Sequence, residues 1–368
     1  MGVMTARPPH LFVDISSHGF GHLAQVAPVL NELERLRPDM RITVRSALHE
    51  ARLRARIHGA FEHLAGRSDF GFVMHDSLTI DRAASGQAYR AQHANWALRV
   101  ADEAALLARL RADMVLSDVA YLPLAGAERA AIPSLSMSSL NWADLFAHYF
   151  SGEDWAPPLH EEMLAAYRSA ECFLRLTPAM PMRGLANTRA IAPVAAVGTR
   201  RGAELREKLA CPPDEKLVLI AFGGVAQRLP VEAWPRCVGV RWLVPASWQA
   251  ARADFSALEA VGLSFTDLLA SVDAVITKPG YGTFCEAACT GTPVLYQRRQ
   301  DGWPEQDCLI DWLQANARCA EVSERALAAG KLRATLGALW RLPPPVAPEP
   351  AGAGQAAALI AGRLSDCC

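Results

Sequence analysis

The chain has 368 residues, 51% hydrophobic and 20% charged, with a formal net charge of −1. That length suggests two domains of ordinary size, and the near-neutral balance argues against a nucleic-acid-binding surface, which would be strongly basic. No apolar run reaches the roughly 18–20 residues of a spanning helix, residues 1–9 lack a signal-peptide core, and the cysteines are scattered without a second pair beside Cys285 and Cys289, so reduced thiols in a cytoplasmic protein are expected.

Residues 10–15 form an apolar strand, followed by S-S-H-G-F-G-H and a helix to Leu36. That helix carries Leu23, Val26, Ala27, Leu30, Leu33 and Leu36 on one face, and with a strand at 41–46 it makes a βαβ opening. Gly19 to Ala24 fits a loose G-x-G-x-x-A, the turn of a dinucleotide site. The second strand, however, ends in Arg45-Ser46, with no acid to hold a ribose. His18 and His22 are then either hydrogen-bonded loop residues or proton acceptors.

Residues 68–92 are polar, weakly periodic and too long for a plain connection, so a functional loop or locally helical lid is expected. His75, Asp76, Asp81 and Arg82 there face either a cleft or solvent. A helix follows at 93–110, and a strand at 113–118 ends in Asp118. A carboxylate at that end of a parallel strand faces the ligand crevice or caps the next helix. A strand at 133–137, the run Asn141-Trp142-Ala143-Asp144, a helix at 159–170 and a strand at 172–176 complete a first domain over 1–180.

The proline-rich stretch 181–199 reads as a linker, and a second α/β domain follows over 200–345. It holds a polar helix at 200–209, a strand at 217–222 ending in Gly223-Gly224 with Gln227 and Arg228 close behind, and a strand at 240–244. A loop at 261–269 enters a helix, and another helix is expected over 327–342. Residues 346–368 form a spacer and a last helix that can return to the first domain.

The densest chemistry lies between Ser271 and Gln306. A buried strand through Ile276 breaks at Lys278-Pro279-Gly280-Tyr281-Gly282-Thr283. A helix over 284–290 is stopped by Gly291 and Pro293, a strand occupies 294–296, and an acidic loop ends in Glu305-Gln306. Such a turn points bare main-chain N–H groups and a helix N-terminus at one spot, which suits a phosphate or diphosphate. Lys278 adds a cation, Thr283 a hydroxyl, and Glu286 a carboxylate one turn further on.

T-K-P-G-Y-G-T-F-C-E…E-Q resembles the nucleotide-sugar signature of GT-B glycosyltransferases, which reads H-C-G-W-N-S-T-x-E…D-Q in plant secondary-product enzymes. H-G-F-G-H, L-T-I-D-R, S-D-V, F-G-G and R-R resemble, in addition, the glycosyltransferase-like amino-terminal half of plant L-arabinokinases, with matches over nearly the whole chain. The resemblance implies a GT-B fold, two Rossmann-like α/β domains facing across a cleft. It places Lys278, Gly280, Tyr281, Gly282 and Thr283 at the donor diphosphate, Glu286 at the ribose, and Glu305 and Gln306 at the donor sugar. Gly21, Gly223 and Gly224 approach the donor, Leu263 or Phe265 the base, and Arg298 the leaving charge. His22 becomes the catalytic base, oriented by Asp118, with His18 the second choice. His18, Asp81, Arg82, Asn141 and Trp142 fall on the acceptor side.

The implied reaction is an inverting transfer from a nucleoside-diphosphate sugar, preferably UDP-linked, to a small-molecule or lipid-linked acceptor. No cofactor is expected, and no metal, because no Asp-x-Asp triad stands at a strand end. The alternatives are a UDP-sugar epimerase on the same fold and a non-catalytic sugar-nucleotide-binding module.

Overall fold

A computed structural model describes residues 7–76, 78–223 and 228–366. The chain divides into two compact units. The first takes residues up to Val73, Ile80–Val194 and those from Ala351 onward, and the second takes Met74–Thr79 and Ala195–Pro350.

The first unit is built on seven parallel strands: β1 (His10–Asp14), β2 (Arg41–Ser46), β3 (Glu62–Ala65), β4 (Met114–Ser117), β5 (Ser134–Ser138), β6 (Cys172–Arg175) and β7 (Thr188–Ala190). Their spatial order is β3-β2-β1-β4-β5-β6-β7. Leu11, Phe12 and Val13 are fully buried, as a central strand covered by helices on both faces requires. Strand order reverses between β1 and β4, where Asp14 pairs in register with Ser117. The loops leaving these two carboxyl ends therefore emerge side by side at the crevice where such sheets hold ligands.

Two expectations for this unit change. The helix expected over 93–110 begins at Trp96 and runs to Leu110, and the loop or locally helical lid expected over 68–92 holds a helix of its own, Arg82–His93. The stretch read as a linker over 181–199 contains β7, which pairs with β6. That edge strand is three residues, T-R-A, the last two of them exposed, too short and too polar to show a period. The helix Gly352–Asp366 packs on the helix Phe20–Leu36, burying Ala356, Ala357, Ile360 and Leu364 completely.

That last helix is pinned where it begins. The Gly352 N–H donates to the Pro193 carbonyl at 3.0 Å, and a Cβ on Gly352 would fall 2.0 Å from the Ala192 oxygen. Gly352→Ala is expected to cost about 1–3 kcal/mol, the usual range for an overpacked contact. Urea unfolding, with proteolysis of the helix as a second readout, measures it.

The second unit holds β8 (Lys216–Ala221), β9 (Val240–Val244), β10 (Phe255–Ala257), β11 (Ala274–Thr277), β12 (Val294–Tyr296) and β13 (Cys319–Glu321). All are parallel, in the order β10-β9-β8-β11-β12-β13, with the reversal between β8 and β11. Trp234, Trp242 and Phe255 anchor its core. The helix expected over 327–342 splits into Glu324–Ala328 and Arg333–Arg341. Gly330 turns between them at φ +63, and a Cβ there would meet Trp234 Cγ at 2.3 Å. No helix among the described residues is long and apolar enough to cross a membrane.

Candidate functional site

Chemistry-bearing residues collect at the switch point of each sheet. In the first unit, the helix Phe20–Leu36 starts after Gly19, which is extended and offers no side-chain cap. His22 sits in its first turn, beside the loop that leaves β4. Its Nδ1 stands 2.8 Å from Asp118 Oδ2, with both side chains buried. The Ser16 N–H also points to Asp118 Oδ2, at 3.4 Å. Burial pushes the Asp118 carboxyl above its ordinary range, against the pull of His22 beside it.

Asp69, which no motif singled out, lies in the same cluster. Its Oδ2 accepts the Trp142 indole N–H at 2.7 Å and its Oδ1 the Ser16 hydroxyl at 3.1 Å. Burial, with the charge of Asp14 adding to it, pushes this carboxyl up to about 6, against the Trp142 and Ser16 hydrogen bonds and the nearby His22. The Trp142 ring lies 5.2 Å from His18 and 5.9 Å from His22, centroid to centroid. Gly71 makes room for this group: at φ +63, a Cβ would sit 2.6 Å from His18 Cδ2 and 2.9 Å from Trp142 Cη2.

Beneath it lies a buried ion network. Arg45, at the end of β2, pairs through Nε with Asp14 and gives two parallel bonds of 2.8 and 2.7 Å to Glu103. The Ser68 hydroxyl donates to the other Asp14 oxygen at 2.7 Å. Where a dinucleotide-binding sheet offers a ribose an acid, this one commits an arginine inward.

Three residues expected on the acceptor side have structural jobs. Asp81 caps the helix Arg82–His93, accepting the Ala84 N–H at 2.9 Å. Asn141, wholly buried, caps the helix Trp142–Phe150 through the Asp144 N–H at 2.7 Å. Arg82 is exposed, pairs with Glu153 at 3.2 Å and lies over the Phe150 ring.

In the second unit, the signature helix is Tyr281–Thr290, beginning three residues before the expected Phe284. Gly280 is its N-cap, extended and without a side-chain cap, and the Phe284 N–H closes the first turn onto the Gly280 carbonyl at 3.1 Å. Gly282 and Thr283 therefore belong to the helix's opening turn. That turn presents main-chain donors and the positive end of the dipole.

Lys278 follows β11 directly. Burial pulls its ammonium down to about 8, helped by Arg299 and opposed by Asp301, Glu305 and Asp76. Gly223, at φ +86 past the end of β8, faces it: a Cβ there would lie 3.8 Å from Lys278 Cε. Gly224 and Gln227 lie outside the described residues. Of the arginine pair, the second is Lys278's neighbour. Arg299 is gripped by Asp301 through bonds of 3.1 and 2.6 Å and lies over Trp303 at 4.5 Å. Arg298 instead pairs with Asp307 and, at 3.6 Å, with Glu321.

Glu305 opens the helix Glu305–Asn316 and accepts the Trp303 indole N–H at 3.2 Å. Gln306 places its amide oxygen 3.0 Å from the Arg299 N–H and its amide nitrogen 3.4 Å from the Arg299 carbonyl, so it shapes the loop. Glu286 is 1% exposed, beside Cys285 and Cys289. Burial pushes both thiols up, and the Glu286 charge adds to it. Leu263 and Phe265 are half-buried around Ser264, which caps the helix Phe265–Ser271. Among the described residues, no group of three or more His, Cys, Asp or Glu side chains is placed to hold a metal.

Two parallel-sheet α/β units of seven and six strands, each with its polar residues at the switch point, make this the fold of the GT-B glycosyltransferases. The structure is similar to CalG4, the calicheamicin glycosyltransferase, with a TM-score of 0.61 and 14% identity over 98% of this chain and 95% of that one. It is similar to Arabidopsis thaliana UGT89C1 complexed with UDP, with a TM-score of 0.57 and 17% identity over 97% and 99%. For the glycosyltransferase VinC in complex with dTDP, the TM-score is 0.56 at 15% identity over 97% and 95%. In sequence, the chain is 24% identical over 327 residues to L-arabinokinase of Arabidopsis thaliana, covering 86% of this chain and 31% of that protein. It thus spans about a third of the length of that curated relative. No family model matches the chain.

Proposed function

We propose that this protein is a glycosyltransferase that moves a sugar from a UDP-sugar to the hydroxyl of a small-molecule acceptor in the cytoplasm, with inversion and without a metal. The observation that carries this reading is the 2.8 Å contact between His22 Nδ1 and Asp118 Oδ2. A carboxylate on Nδ1 holds that proton in place and leaves Nε2 as the acceptor of the hydroxyl proton. As the acceptor oxygen attacks the anomeric carbon, the imidazolium is stabilised by Asp118 and nucleoside diphosphate departs. The negative charge on the leaving group is met by the opening turn at Gly280–Thr283, its dipole and Lys278. Glu286 is assigned to the ribose and Glu305 to the sugar, with Gln306 supporting the loop through Arg299.

A panel of UDP, TDP, GDP and NADP, read by thermal shift and calorimetry, tests the nucleotide assignment, and product analysis with UDP-sugars tests transfer. UDP is expected to bind. Stabilisation by NADP alone would overturn the reading. UDP affinity is also expected to depend on pH through Lys278. A bound anion favours the charged amine, so affinity is full below about 8 and falls as pH rises through and beyond that value. Lys278→Met should remove this dependence and weaken binding by about ten- to a hundredfold, the range of a charge-assisted hydrogen bond.

A second reading, a sugar-nucleotide-binding module, is favoured by the similarity to part of a much longer relative. It predicts UDP-sugar binding with no turnover.

A further inference from the structure

Asp69 belongs to none of the motifs, yet it is tied to both members of the His22–Asp118 pair. Ser16 makes one tie: its N–H points to Asp118 Oδ2 at 3.4 Å while its hydroxyl donates to Asp69 Oδ1 at 3.1 Å. Trp142 makes the other: its indole N–H donates to Asp69 Oδ2 at 2.7 Å while its ring packs 5.9 Å from the imidazole. Both of these donors are neutral, whereas Asp14 close by is paired with Arg45. Asp69 therefore keeps a charge that its hydrogen bonds do not cancel.

We propose that Asp69 is a positioning residue for His22: a second buried carboxylate that stabilises the imidazolium alongside Asp118 and, through Trp142, fixes the ring's plane. The catalytic consequence rests on the transferase reading above; the electrostatic claim does not. The charged and titratable groups around Asp69 are Asp14 with its partner Arg45, Asp118, His18 and His22, together with buried phenols that stay neutral. Asp14 disfavours its charge and His22 favours it. Its carboxylate is ionised above about 6, so its support for the imidazolium is present at neutral pH and fades in mild acid.

The test follows the His22 imidazole by NMR titration in the full chain, with His22→Gln assigning the resonance. Asp69→Asn keeps the shape and removes the charge. It is expected to lower the His22 midpoint by about half a pH unit or more, a modest instance of the shift a nearby opposite charge produces. Trp142→Phe removes the donor that favours ionised Asp69 and should move the midpoint the same way by less. The acid limb of turnover should shift with it, with kcat reduced and the KM for donor unchanged.

An unshifted His22 midpoint in both variants overturns the proposal. If Asp69→Asn does not fold, Trp142→Phe and Ser16→Ala carry the same measurement. Absence of sugar transfer in the wild-type protein would instead count against the proposed function, and the titration would still decide the role of Asp69.

Discussion

Replacing His22 by alanine is expected to slow sugar transfer by about a hundred- to ten-thousandfold, the usual contribution of a positioned general base, while leaving UDP affinity unchanged. His22 and Lys278 lie in different units, each with its own sheet, so the variant separates proton abstraction from nucleotide binding. Asp118→Asn should come close to the same loss. It preserves the volume next to Nδ1 but removes the charge that fixes the tautomer and stabilises the imidazolium. Single-turnover transfer from a labelled UDP-sugar, beside calorimetry with UDP, reads both quantities. Wild-type turnover in His22→Ala would place the base elsewhere. UDP binding with no transfer by the unaltered protein would favour the binding-module reading.

Arg45→Met should be the most damaging single change to stability, at about 3–5 kcal/mol, the range for removing one partner of a buried ion pair. Arg45 is 7% exposed and serves both Asp14 and Glu103, themselves 2% and 6% exposed. Without it, two carboxylates remain in the core with no cation between them. The packing offers little relief, because a Cβ on Gly126 would already come within 2.4 Å of Glu103 Cγ. Denaturant unfolding should show the loss in one of two transitions, since two units with separate cores need not unfold together. Adding Glu103→Gln to Arg45→Met should recover part of it. A loss below about 1 kcal/mol in the single variant would mean that water or rearrangement reaches Asp14 and Glu103.

Much of this architecture was legible because parallel strands and their helices leave strong periods. β2, β9 and β12 have the limits expected from residues alone, and β1 and β4 lie within a residue or two of them. What escaped was short, peripheral or set by distant parts of the chain. β3, β7, β10 and β13 have three or four residues each, too few to display alternation. The helix start at Tyr281 was hidden because an extended glycine cap looks like the middle of a turn. Asp81 and Asn141 each stand three residues ahead of the N–H they cap, a local signal that weighs against a substrate contact. Asp69 had no such signal. Its burial depends on Trp142 and Ser16, separated from it by 73 and 53 residues, and no local pattern encodes that meeting. The same holds for Arg45, whose partners come from a neighbouring strand and a distant helix.

The helix Gly352–Asp366 gives the chain an unusual order of assembly. Synthesis runs from the amino end, so the ribosome makes all of β1 to β7 before this segment exists. The Phe20–Leu36 helix must then wait, with the surface destined for Ile360 and Leu364 still wet, until every strand of the second sheet has been translated. The first unit is therefore completed only after the second sheet has been made, and a chain cut after Val194 would lack one of that unit's own walls.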